Sequence, residues 1–138
     1  MEEVKIKLKA IQKNIQDEDL VELVTEGSYY EKNGKQYYTY METEISGMEG
    51  TKTLIKVSKE ENKIQIIRYG EGKSTMTYIL GEKTNTEYVT PYGNMDMEIH
   101  THEVKINLDE NGRGTIYLHY YLDLMGEELN NIIDIEIR

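Results

Sequence analysis

Thr86-Glu87-Tyr88-Val89-Thr90-Pro91-Tyr92-Gly93-Asn94-Met95-Asp96-Met97-Glu98-Ile99-His100-Thr101-His102-Glu103-Val104-Lys105-Ile106-Asn107-Leu108 is the stretch that decides the fold. Its Thr-Pro-Tyr-Gly segment carries the only proline of the chain. Proline pushes the residue before it toward an extended conformation and donates no backbone hydrogen bond. Gly93 can take the positive φ that a sharp reversal needs. One strand therefore ends near Thr90 and the next begins near Asn94. Beyond the corner, Met95, Met97, Ile99 and Thr101 share one strand face, and Asp96, Glu98, His100 and His102 share the other. The phase then flips, because Val104, Ile106 and Leu108 are apolar while Glu103, Lys105 and Asn107 are polar. A strict period of two cannot keep both apolar sets on one side. A bulge near Thr101–Glu103 resolves the conflict and bends the strand.

Working outward, the same alternation recurs along the chain. Val4, Ile6, Leu8 and Ala10 alternate with Lys5, Lys7 and Lys9. Leu20 to Tyr30 has some helical character, but its β-branched residues and the alternation Val21, Leu23, Thr25, Gly27, Tyr29 favour a strand. Asn33-Gly34 between two tyrosine-rich runs is a hairpin turn, with a return strand over Gln36–Glu44. Gly47 to Gly50 turns the chain again. Strands follow around Thr53–Val57, over Lys63–Tyr69, around Met76–Leu80 and over Thr84–Thr90. After Leu108, a loop over 109–114 leads to a strand from Ile116 to Leu124. Met125-Gly126-Glu127-Glu128 turns, with a helical turn to Asn130, before a last strand through Ile133, Ile135 and Ile137. No linker or repeat divides residues 1–138, which read as one domain. The expectation is an all-β chain, a single antiparallel up-and-down β-barrel of about 8–10 strands.

The 138 residues carry a formal net charge of −10, and 30% are charged. That balance argues for a soluble chain and against binding nucleic acid or an anionic membrane surface. No apolar run is long enough to span a bilayer, and the first residues lack the apolar core of a secretory signal. The absence of cysteine excludes disulfides, thiolate ligands and thiol nucleophiles. These features suit a cytoplasmic location. All twelve aromatic residues are tyrosines. A buried tyrosine needs a partner for its hydroxyl, so an interior rich in Tyr and Met tolerates polar or hydrated space. Half-buried cross-strand positions are the other natural place for these rings.

Several runs together resemble a known family: Thr25-Glu26-Gly27-Ser28-Tyr29-Tyr30, Asn33-Gly34, Ile66-Ile67-Arg68-Tyr69-Gly70, Thr90-Pro91-Tyr92-Gly93, Tyr117-Leu118-His119-Tyr120 and Ile133 to Ile137. In their order and spacing they are similar to the YwiB-like proteins, a bacterial family of small proteins of uncharacterised function. The resemblance implies a calycin-like, lipocalin-type β-barrel and no established activity, so it supplies no catalytic residues. Calycins commonly close one barrel end with a Trp under an Arg, and this chain has no Trp.

Arg68 is in phase with Ile64 and Ile66, whereas Ile67 and Tyr69 take the other phase, so either the strand carries a bulge or Arg68 points inward, where a guanidinium must be paired and hydrogen-bonded. It can clamp the anionic group of a ligand, or close a barrel end on Tyr rings and an internal Glu. The leading expectation is a non-enzymatic barrel that holds a small amphipathic or anionic molecule inside, with Arg68, Tyr78, Tyr88 and Tyr120 as ligand-binding residues. The alternative is a filled barrel that binds another protein or a second copy, making a homodimer, through exposed Tyr29, Tyr37, Tyr117 and Tyr121.

His100-Thr101-His102 places two imidazoles on one face roughly 7 Å apart, with Glu98 and Asp96 beside them. That spacing can supply two metal ligands, but no third residue has a diagnostic spacing. The plain reading is a solvated outer face. No metal ligands, catalytic residues or cofactor are assigned. A metal-dependent enzyme using His100 or His102 with Glu98 is the least favoured class, since no Gly-x-Ser-x-Gly or phosphate loop is present.

Overall fold

The computed structural model describes residues 1–14, 16–42, 50–70, 73–90 and 93–138, with the backbone alone for residues 88–90. Pro91 and Tyr92 of the corner, most of the Gly47–Gly50 turn, and Glu71-Gly72 lie outside the described residues.

The described chain forms ten strands: β1 (Glu2–Lys13), β2 (Glu18–Lys32), β3 (Lys35–Met41), β4 (Lys52–Ser58), β5 (Lys63–Tyr69), β6 (Ser74–Ile79), β7 (Lys83–Thr90), β8 (Gly93–Leu108), β9 (Gly114–Leu124) and β10 (Glu127–Ile137). Every ladder is antiparallel, and the order is β6-β5-β4-β3-β2-β1-β10-β9-β8-β7. β1 is central because it pairs with both β2 and β10. Its alternation, Val4, Ile6 and Leu8 in against Lys5, Lys7 and Lys9 out, fits a strand with one covered face.

β6 and β7 end the hydrogen-bonded order, yet they are consecutive in the chain and pack together. Two threonine hydroxyls bridge this seam. Thr84 Oγ1 donates to the Thr77 carbonyl, and Thr86 Oγ1 donates to the Thr75 carbonyl. The result is a nearly closed up-and-down barrel.

Two tight turns carry positive φ at both central residues, Asn33-Gly34 and Met125-Gly126. This is the hairpin geometry whose twist matches the flanking strands. It removes the helical turn expected up to Asn130, since the backbone reverses within two residues and β10 starts at Glu127.

The expected bulge is present. On β8, Thr101 pairs with Tyr120 and Glu103 pairs with His119, leaving His102 as the extra residue. Met97, Ile99 and Thr101 are buried before it, and Leu108 after it. Inside the barrel, Tyr38, Tyr78, Tyr120 and Ile and Leu residues of β1, β2, β4, β5, β8, β9 and β10 meet in one continuous buried cluster.

Candidate functional site

The inward phase of β5 holds at Arg68, whose strand partner on β4 is the fully buried Thr53. The inward phase of β3 runs through Tyr38 and Tyr40 and reaches Glu42, one residue beyond the strand. Glu42 stays in place because its backbone N–H donates to the Thr51 carbonyl. Thr53 Oγ1 donates to Glu42 Oε1 at 2.7 Å. The Arg68 Nε lies 3.7 Å from the same oxygen, close enough for ionic attraction but too long for a hydrogen bond. That Nε is buried and has no hydrogen-bond partner among the described residues. The Glu42 side chain is 2% exposed, and that of Arg68 is 24% exposed. The pair therefore sits just inside one barrel end, with the guanidinium in reach of water.

Tyr78 and Tyr120 stand beside this pair with ring centroids 4.6 Å apart. Burial, first of all, raises the pKa of both hydroxyls, and the Arg68 charge opposes the rise at each. Tyr40 behaves alike: burial raises it first, the Glu42 charge adds to the rise, and Arg68 counters. One guanidinium thus acts electrostatically on three buried phenols. The structure brings Arg68, Tyr78 and Tyr120 together. Tyr88 pairs through its backbone with Met95 on β8, and its side chain lies outside the described residues.

Glu42 was not singled out by the sequence reading. The signal was available: Tyr38, Tyr40 and Glu42 keep a period of two, and an inward arginine needs an acidic partner.

The opposite end is closed from within. Tyr38 Oη donates to the Gly112 carbonyl at 2.7 Å. Tyr29 stacks on Tyr38 at 5.1 Å, and the Arg113 guanidinium lies 5.7 Å from the centre of the Tyr29 ring. Asp109 fixes the loop by accepting from the backbone N–H groups of Asn111 and Arg113. Tyr29 is therefore buried, which corrects its expected place in an exposed patch. Its ring is held under Arg113 and against Tyr38. Tyr37, Tyr117 and Tyr121 are half-buried on the outer phase.

The histidines separate. His100 Nε2 sits against Glu98 Oε1 on the outer face. The bulge carries His102 away from that pair and toward His119, with ring centroids 5.3 Å apart. The expected grouping of His100, His102 and Glu98 is therefore split, and His119 on β9 is the imidazole that meets His102.

An antiparallel barrel plugged by its own tyrosines at one end and carrying an inward ion pair at the other defines the structural class. The chain belongs to the family described as Domain of unknown function (DUF1934), which matches residues 6–137. It is 26% identical over 125 residues to the uncharacterized beta-barrel protein YwiB of Bacillus subtilis (strain 168), covering 91% of this chain and 84% of that protein. A crystal structure of the ywiB protein from Bacillus subtilis superposes with a TM-score of 0.76 at 24% identity, covering 97% of this chain and 90% of that one. That likeness shows the fold. No helix among the described residues is long and apolar enough to cross a membrane.

Proposed function

We propose that the barrel is a non-enzymatic binder of a small amphipathic molecule with an anionic end, taken up at the end that bears Arg68. The observation that carries this reading is the Arg68 Nε, buried without a hydrogen-bond partner among the described residues and 3.7 Å from Glu42. A buried donor left unsatisfied costs about 1–3 kcal/mol, and a ligand carboxylate or phosphate would relieve that cost. Tyr78 and Tyr120 supply the apolar wall beside it, and their hydroxyls stay protonated as donors.

The continuous buried cluster limits the reading. Tyr78 and Tyr120 pack on each other, so the ligand occupies the Arg68 end rather than the full barrel length. The arginine over Tyr29 at the closed end supports the calycin-like comparison, with tyrosine in the place of tryptophan.

Calorimetric titration with a medium-chain fatty acid and its matching alcohol tests the proposal on wild type and on Arg68→Gln. The acid should bind wild type, while the alcohol and the variant bind at least about tenfold more weakly, or about 1.4 kcal/mol. Equal binding of acid and alcohol would contradict the role of Arg68. Absence of binding by the acid would contradict an amphipathic site for this chain length.

A second reading rests on Tyr30 and Tyr37, whose rings stack in parallel on the outer phase at 4.8 Å. Such a rigid pair suits a protein-facing patch, including one on a second copy of the chain. Light scattering separates the readings. A dimer lost in Tyr30→Ser/Tyr37→Ser supports this one, and a monomer at all concentrations removes its homodimer form.

A further inference from the structure

We propose that His102, Glu103 and His119 form a binding site for a divalent transition-metal ion of the zinc class on the outer face of β8 and β9. The site does not depend on the Arg68 end and stands or falls separately from it.

The bulge creates the arrangement. In a regular strand, neighbouring side chains point to opposite faces, so His102 and Glu103 would be separated by the sheet. Here Thr101 pairs with Tyr120, Glu103 pairs with His119, and His102 is the extra residue. Thr101 is buried inside, while His102 and Glu103 both stand on the outer side, over His119. One donor atom from each of the three lies within 4.8 Å of the others. Zinc holds nitrogen and oxygen ligands at about 2.0–2.2 Å, which places tetrahedral donors about 3.5 Å apart. Side-chain rotation alone covers the difference of roughly 1 Å. The two imidazoles meet edge to face, at 81°, so their nitrogens can converge on one point.

One ring nitrogen of His119 is already held by a hydrogen bond. Its Nε2 lies 2.8 Å from Asn130 Oδ1. An amide oxygen only accepts, so this nitrogen carries the proton and Nδ1 keeps its lone pair. Metal-binding histidines are commonly held in this way by a hydrogen bond on the far nitrogen. The Tyr121 ring, 5.3 Å away, flanks the imidazole, and Ile132 is its strand partner on β10. His102 is exposed, which leaves a coordination position open to water. Two imidazoles and one carboxylate suit zinc and its neighbours rather than magnesium or calcium, which prefer oxygen ligands. A net charge of −10 draws cations to the surface.

His100 supplies an internal control, since it is bonded to Glu98 and lies outside the cluster. The test is calorimetric titration of zinc into tag-free protein. Wild type should bind one zinc per chain in the micromolar range. His102→Ala and His119→Ala should each weaken binding by about tenfold or more, and Asn130→Ala by about tenfold through loss of the orienting bond. His100→Ala should leave binding unchanged. Cobalt should give a visible absorption band on wild type that His119→Ala lacks. His102 has no strand partner, so its replacement preserves the fold, and circular dichroism of the metal-free variants verifies that. Wild type without saturable zinc binding, a His100→Ala defect equal to that of His119→Ala, or zinc retained by His102→Ala/His119→Ala would each overturn the proposal.

Discussion

The Tyr38 hydroxyl donates to the carbonyl of Gly112, 74 residues away along the chain, and this bond ties the β8–β9 loop into one end of the barrel. Tyr38 is fully buried, so no water replaces the bond. Tyr38→Phe leaves the carbonyl unsatisfied and should cost about 1–3 kcal/mol in urea unfolding. Gly112→Ala should cost more, about 2–4 kcal/mol, because φ is +73° and a Cβ would overlap the Tyr29 ring. A Gly112→Ala protein as stable as wild type would show that the loop does not plug the barrel.

Most of the architecture was legible because the period of two survives almost unbroken. The β5 boundaries, Lys63 and Tyr69, came from that pattern, as did the bulge at Thr101–Glu103. The closing seam was not legible. Nothing in Thr84 and Thr86 distinguishes a bridging hydroxyl from an exposed strand threonine until β6 and β7 meet. The phase left Arg68 either inward or on a bulge, and its partner depends on where β3 ends. His119 could not be joined to His102 from sequence, since their contact is set by the register across the bulge.

The seam gives a second prediction. Thr84→Val and Thr86→Val keep side-chain shape but remove the donors to the β6 carbonyls. Each should cost about 1 kcal/mol. Amide hydrogen exchange should accelerate along β6 and β7 and stay unchanged in β1 and β10. Uniform acceleration through the barrel would argue against a local seam.

The ion pair gives a third. Removing either Arg68 or Glu42 leaves a charge in the barrel end without its partner. Arg68→Met and Glu42→Gln should each cost about 1–3 kcal/mol, less than a fully buried pair because Arg68 reaches solvent. The double variant should cost less than the sum of the two, as expected for directly interacting residues. Strict additivity in the urea midpoints would mean that the two charges do not interact.

Alkaline pH gives a fourth. Burial raises the hydroxyl pKa of Tyr29, Tyr38, Tyr40, Tyr78 and Tyr120 above the ordinary value. Unfolded, the same groups ionise near pH 10 (about). Above that pH the unfolded chain has released protons that the folded chain keeps, so the unfolded state gains. The urea midpoint should be steady below about pH 9 and fall as the pH rises through about 10. Tyrosinate absorbance from these five rings should appear together with unfolding. A midpoint unchanged through this range would contradict their burial.

Native mass spectrometry of the protein purified from its own host tests the binding role most directly. The account predicts a small molecule retained on wild type, released on denaturation, and absent from Arg68→Gln protein that remains folded. Wild type carrying only the mass of its polypeptide, or a molecule retained equally by Arg68→Gln, would contradict it.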